Sequence, residues 1–175
     1  LRIFYFSLHQ IIAYFKVKNH LKANWKQKLQ TDPRTQNYWT EVYHLVILPT
    51  YKEGYSIIKE SLDSLLAADY SSQKLMIVLA MEERAGQEYL EIGKKIEQEY
   101  AGRFFKFITA IHPANTVGEL AGKGSNVAYA GQVAKAVIDE LKIPYEHVLI
   151  SDFDIDTKVY PQYFSCLTWY YLTQK

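Results

Sequence analysis

Four short apolar runs, none of them alternating with polar residues, constrain this chain more than any other feature. They occupy residues 44–48, 75–79, 104–111 and 147–150. A strand with one face in water alternates apolar and polar side chains, whereas a continuous run requires cover on both faces. The cover is also legible. Residues 55–68 place Ile57, Ile58, Ser61, Leu62, Leu65 and Leu66 on one helical stripe. Residues 87–100 do the same with Tyr89, Ile92, Ile96 and Tyr100, and residues 125–141 with Val127, Ala130, Ala134, Val137, Ile138 and Leu141. Strand and helix alternate from Tyr43 onward, which predicts an α/β fold with a mainly parallel sheet between two helical layers. Apolar residues at 49% and charged ones at 22% suit a packed core rather than disorder.

The first 31 residues have a different texture. Phe4, Leu8, Ile11, Ile12 and Phe15 share one helical face, and Leu21, Trp25 and Leu29 continue it, predicting an amphipathic helix over residues 1–30. Arg2, Lys16, Lys18, Lys22, Lys26 and Lys28 stand in this arm with no acidic residue, while the remaining 14 basic and 19 acidic residues leave the rest at −5. Nucleic-acid binders spread basic residues over a folded face, so that partner is not expected. A basic arm on a slightly acidic domain suits an anionic lipid surface, with the cytoplasmic face of a membrane as the expected location, or is simply solvated. Polar interruptions at Arg2, Ser7, His9 and Gln10 make the stretch too short and too polar to span a bilayer alone. It reads as an interfacial helix or as the end of a longer membrane helix, and the bland alternative is a helix packed on the domain. Residues 32–42 read as a polar linker and 43–175 as the main domain. The single cysteine, Cys166, excludes an internal disulfide framework and points to a reducing compartment.

Ligands of open parallel sheets bind beyond the carboxyl ends of the strands. There this chain concentrates its polar and glycine-rich segments: Pro49-Thr50-Tyr51-Lys52-Glu53-Gly54, Met81-Glu82-Glu83-Arg84, Gly118 to Asn126, and Ser151-Asp152-Phe153-Asp154-Ile155-Asp156-Thr157. The last is the sharpest. Carboxylates at alternate positions of extended chain converge and repel unless a cation neutralises them. Mg²⁺ or Mn²⁺, which prefer oxygen ligands and also hold phosphates, fit that need, and the alternative is a solvated acidic turn. Gly122 and Gly124 allow close backbone approach, Lys123 offers a positive charge to a diphosphate, and a helix opening near Ser125 offers free N–H groups. Asn126 reads either as a ligand contact or as part of the helix cap. Glu53 can accept hydrogen bonds from a base or ribose, or simply favour the start of a helix. His44, His112 and His147 read as structural. Spacing excludes other motifs. An EF-hand starting at Asp152 would need Gly and Glu where Thr157 and Tyr163 stand, a phosphatase Asp-x-Asp-x-Thr fails at Asp156 and Lys158, and Gly118 to Gly122 is one residue short of a P-loop.

Together these segments resemble the family 2 glycosyltransferases, whose nucleotide-sugar-binding domain is a Rossmann-like three-layer α/β/α fold often called type A. Val46-Ile47-Leu48-Pro49-Thr50-Tyr51-Lys52-Glu53 is similar to the family's opening hydrophobics-P-x-Y-N-E, with Lys52 in place of Asn. Gly122-Lys123-Gly124-Ser125-Asn126 resembles its glycine and Asn segment. Asp154-Ile155-Asp156-Thr157, with Pro161 and Tyr163 downstream, resembles its metal-binding Asp-x-Asp. The resemblance covers residues 43–170. It implies transfer of a sugar from a nucleotide diphosphate sugar to a glycan or lipid acceptor, with inversion. Pro49, Thr50, Tyr51, Glu53, Glu82, Lys123, Gly124, Asn126 and Asp154 are then the donor contacts, and Asp154 and Asp156 hold Mg²⁺ or Mn²⁺. Glu82 stands where the family often has an Asp pair. The catalytic base is expected beyond Lys175, so the chain reads as a donor-binding part that transfers no sugar by itself. Alternatives are a non-catalytic, membrane-attached nucleotide-sugar-binding module and a sugar nucleotidyltransferase. The latter is disfavoured because Thr50-Tyr51-Lys52-Glu53-Gly54 replaces a Gly-rich, Arg-containing loop.

Overall fold

Four parallel strands in the order β3-β2-β1-β4 form the centre of the computed structural model, which describes residues 2–174. They are β1 (Tyr43–Pro49), β2 (Leu75–Glu82), β3 (Lys106–His112) and β4 (Val148–Asp152). Among the described residues six α-helices accompany them: α1 (Arg2–Lys22), α2 (Trp25–Thr31), α3 (Tyr55–Leu66), α4 (Gln87–Tyr100), α5 (Lys123–Glu140) and α6 (Tyr163–Thr173). The predicted three-layer α/β/α architecture is the one observed.

Alternate residues of β1 explain the continuous runs. Val46 and Leu48 enter one apolar cluster with Ile58, Leu62 and Leu65 of α3, Ile96 and Tyr100 of α4, and Phe164 of α6. Leu45 and Ile47 enter the other with Ala130, Ala134 and Ile138 of α5. Both faces of the strand are covered, so no position along it tolerates a polar side chain without a partner. The layering follows from right-handed crossovers. Moving from β1 to β2 to β3 places α3 and α4 on one face. Returning past β1 to β4 reverses the direction and places α5 on the opposite face. Strand order therefore reverses between β1 and β4, and a crevice opens beyond their carboxyl ends.

Several boundaries differ from expectation. β2 runs three residues further than its apolar run and ends on Glu82, whose place at the strand tip matters below. The N-terminal helix is not continuous: it breaks at Ala23 and Asn24, where the Asn24 side chain accepts from the Gln27 N–H at 2.9 Å and starts α2 afresh. No residue of α1 is buried, whereas α2 buries Trp25 and Leu29. Residues 32–42 contain turns rather than free chain. Thr35 is fully buried with its hydroxyl on the Leu29 carbonyl, and the Tyr70 hydroxyl donates to the carbonyls of Trp39 and Val42.

His44 is one polar residue inside the apolar frame. Its ring is fully buried between Tyr70 and Phe164, Nε2 lies 2.8 Å from the Thr168 hydroxyl, and Nδ1 has no partner among the described residues. Burial holds its pKa down at about 3. The folded ring stays neutral at pH values where the unfolded chain, with an ordinary His pKa near 6.5, takes up a proton. Stability contributed by the neutral ring is thus present above pH 6.5 and lost as the pH falls towards 3. Between pH 7 and pH 5 the wild type should lose about 2 kcal/mol more unfolding free energy than His44→Phe. Urea titrations at the two pH values measure this, and parallel losses in both proteins would refute it.

Candidate functional site

The crevice at the reversal point is a cavity of about 500 Å³. Pro49, Thr50, Tyr51 and Glu53 line it from the β1 end, Glu82 and Arg84 from the β2 end, Lys123 and Asn126 from the start of α5, and Asp154, Ile155 and Asp156 from the segment after β4, with Ile57 below. Nine of the ten residues singled out from the sequence therefore meet in one place. Gly124, the tenth, is not in the lining.

Backbone hydrogen bonds fix the floor. The Ala80 carbonyl accepts from the Thr50 N–H at 2.8 Å and from the Asn126 side-chain amide, also at 2.8 Å. This one oxygen ties the end of β1, the end of β2 and the first turn of α5. Asn126 is 1% exposed and begins the inward stripe continued by Ala130, Ala134 and Ile138. It is a buried pin and not the helix cap, since the cap position is Gly122, with no side-chain cap bond. Its Oδ1 is buried without a partner among the described residues.

Glu53 shapes the loop after β1. One of its oxygens, Oε2, accepts from the Thr50 hydroxyl and from the Tyr51 N–H, both at 2.7 Å. Partial burial opposes its charge, yet these hydrogen bonds outweigh burial and hold its pKa below the usual carboxylate value. The oxygen that sequence reasoning offered to a ribose or base is engaged in the loop itself. Arg84, which sequence reasoning did not single out, pairs with the buried Glu82 and stacks its guanidinium 4.6 Å from the centre of the Tyr51 ring. Its place was hidden because β2 continues beyond its apolar run and carries Glu82 and Arg84 to the rim. The same two residues also line a smaller cavity of about 160 Å³, where His112 Nε2 lies 2.9 Å from Glu119.

The acidic segment departs from the extended geometry expected of it. β4 ends at Asp152, and the Thr157 N–H closes a turn onto the Asp154 carbonyl at 2.9 Å. Phe153 and Ile155 still turn inward while Asp152, Asp154 and Asp156 stay in solvent. Lys123 reaches them from α5: its Nζ lies 2.5 Å from Asp154 and 3.9 Å from Asp152. The bond to Asp154 raises the Lys123 pKa. Among the described residues no group of three or more Asp, Glu, His and Cys side chains is arranged to hold a metal ion. The side chains that could contribute to such a site are those of Asp154 and Asp156, two exposed carboxylates in the cavity lining. Two cationic side chains thus line the cavity, each paired with a carboxylate of the same lining, Lys123 with Asp154 and Arg84 with Glu82.

No protein-family model matches the chain, and no curated protein matches it. Among solved structures it is similar to S. aureus TarS 1–349, at 20% identity and a TM-score of 0.43, over 69% of this chain and 29% of that one. The chain thus spans less than a third of that structure. A likeness of this degree carries no argument about the site, which stands on its own geometry.

Asn126 offers a direct test of the pin. Asn126→Ala leaves the Ala80 carbonyl still bonded to Thr50 and should cost about 1 kcal/mol of unfolding free energy. Asn126→Asp should cost about 2–3 kcal/mol at pH 7, because an ionised carboxylate then faces the Ala80 carbonyl. That penalty should shrink as the pH falls through the carboxyl pKa, since a protonated carboxyl can donate. Chemical denaturation at pH 7 and pH 4.5 reads both effects, and a pH-independent difference between the two variants would remove the pin.

Proposed function

We propose that this chain is the donor-binding part of a glycosyltransferase of the family 2 type, holding a nucleotide diphosphate sugar in the cavity at the strand-order reversal. The observation that carries the proposal is the convergence of Thr50, Tyr51, Glu82, Lys123, Asp154 and Asp156 on that single cavity. Their combination of two exposed aspartates with a lysine suits a diphosphate accompanied by a divalent cation. Tyr51 and Arg84 supply a stacked, flat surface at the rim, and the pinned Thr50–Glu53 loop holds it in position. Lys123 balances the acidic turn and adds positive charge beside bound phosphates. A divalent cation held by Asp154 and Asp156 would neutralise the departing diphosphate as the sugar passes, with inversion, to an acceptor hydroxyl of a glycan or lipid. None of the cavity residues is assigned as the general base.

Calorimetric titration with UDP and GDP tests this reading. Binding should be at least tenfold tighter with Mn²⁺ than with chelator. Asp154→Asn combined with Asp156→Asn should abolish that difference without unfolding the protein. Lys123→Ala should weaken binding about tenfold with metal present, the scale of one charge-assisted hydrogen bond. Equal binding with and without chelator in the wild type would overturn the metal assignment, and no binding of either nucleotide would overturn the donor site.

We also propose that the basic arm places this domain on an anionic membrane surface, at its cytoplasmic face. Phe4 is 81% exposed, and Ile11, Phe15 and Leu21 are exposed beside Lys16, Lys18 and Lys22. Among the described residues no helix is long and apolar enough to cross a membrane; it is the exposed apolar side chains interleaved with lysines that support the interfacial reading. The protein should co-sediment with phosphatidylglycerol vesicles and be released at high salt, because each lysine near the surface contributes on the order of 1 kcal/mol and is screened within about 10 Å at 0.1 M salt. Sedimentation indifferent to lipid charge and salt would contradict this.

A further inference from the structure

At the foot of α1, on the side of α6, lies an almost wholly apolar cavity of about 270 Å³. Leu21, Trp25, Tyr163, Cys166, Leu167 and Tyr170 are among its lining residues. The polar groups around it are already paired with one another. The Trp25 N–H donates to Gln162 Oε1 at 2.6 Å, and the Trp25 indole N–H to the His20 carbonyl at 2.8 Å. The Tyr160 hydroxyl donates to the Leu21 carbonyl at 3.0 Å, and the Tyr170 hydroxyl lies 3.1 Å from His20 Nε2. Tyr163 reaches Ser151. An occupant of this cavity therefore finds carbon to pack against and few free hydrogen-bonding groups, which selects a hydrocarbon segment over a polar metabolite.

The surroundings say which hydrocarbon. His20 and Leu21 belong both to the cavity wall and to the last turn of α1, so the cavity opens at the end of the helix whose apolar side chains are exposed. Lys22, Lys26 and Lys28 are exposed on the same stretch, and Lys28 Nζ stands 4.2 Å from the centre of the Trp25 ring. A protein partner would need to be apolar along α1 and acidic at its foot. An anionic phospholipid has that arrangement in one molecule, with a negative headgroup above an apolar chain. We propose that the cavity between α1, α2 and α6 takes an acyl chain of an anionic phospholipid, with the lysines of residues 22–28 on its headgroup. This rests on the membrane-surface reading of the arm and is independent of the donor site.

The assignment has a structural consequence. Asp154, Ile155 and Asp156 line the donor cavity, and Tyr160, Gln162 and Tyr163 line the lipid cavity. The Tyr163 ring packs edge-on against Phe153 at 5.3 Å. Neighbouring parts of one segment thus line the two cavities, the acidic turn the first and residues 160–163 the second.

Tryptophan quenching by phosphatidylglycerol vesicles with brominated acyl chains tests the proposal on the whole chain. Trp25 lies in the wall and Trp169 beside it, with ring centres 5.4 Å apart, while Trp39 packs on Tyr70 elsewhere. In Trp39→Phe, emission with brominated vesicles should fall to half or less of that with unbrominated ones. Adding Cys166→Phe, which fills the cavity, should restore most of the emission while the protein still co-sediments. Should that variant not fold, the unsubstituted protein gives a second readout. Cys166 is its only cysteine, and its reaction with a soluble maleimide should slow severalfold with phosphatidylglycerol vesicles relative to phosphatidylcholine vesicles. Co-sedimentation without quenching or protection would overturn the cavity assignment and leave the arm's membrane reading in place. Failure to co-sediment would overturn both, and the nucleotide titration would be unaffected in either case.

Discussion

The Ala80 carbonyl is the point on which the carboxyl edge of this sheet depends. Strand order reverses between β1 and β4, which forces the chain to leave β3, cross the opposite face as α5 and return on the far side of β1. Along that route α5 packs on the sheet through Ala130, Ala134 and Ile138. The Asn126 amide adds a polar anchor at its first turn by bonding to the same oxygen that receives the Thr50 N–H. Because one acceptor serves two neighbours, the β1 loop and the first turn of α5 hold fixed positions relative to each other. Lys123, three residues before Asn126, is thereby held over the acidic turn.

The electrostatics of the crevice follow from that placement. Glu53 is held by the hydrogen bonds of its own loop and Glu82 by Arg84, so both carboxylates are fixed in place. The solvated carboxylates are those of Asp154 and Asp156, with the Asp154 side chain 72% exposed, and the nearest cation is Lys123. A site whose anchoring acids are internally paired, while its aspartates stand in solvent, is arranged to exchange partners without disturbing the fold. The ion pair between exposed groups is weak in water and costs little to open. The hydrogen bonds that shape the loop are more sheltered and persist.

At the other side of the molecule the fold separates two neighbouring helices that look alike in sequence. α2 is docked through Trp25 and Leu29 against α6, and aromatic contacts among Trp25, Trp169 and Tyr170 hold it there. α1 meets the domain at its last turn, where His20 packs on Trp25 and Tyr170, while its apolar side chains remain in solvent. The break at Asn24 is what permits this difference. A continuous helix would have to follow a single axis, whereas the capped restart lets α2 lie on the domain and α1 leave it.

How far the sequence alone reached can be told from particular residues. Continuous apolar runs at 44–48 and 75–79 are enough to require cover on both faces, so the parallel three-layer fold was legible without any contact being known. The clustering of Pro49–Glu53, Lys123–Asn126 and Asp154–Asp156 was legible too, because the ends of parallel strands necessarily share one edge. Tertiary structure decided what each group does there. Asn126 has the same formula whether it caps a helix or pins a carbonyl, and only its place at the start of a buried stripe selects the second. Arg84 became part of the rim because inter-strand hydrogen bonding carries β2 on to Glu82, past the point where apolar character ends. Hydrophobic pattern is a local property of the chain and survives in the sequence. Hydrogen-bond partnership between segments dozens of residues apart is a property of the folded chain, and no local pattern encodes it.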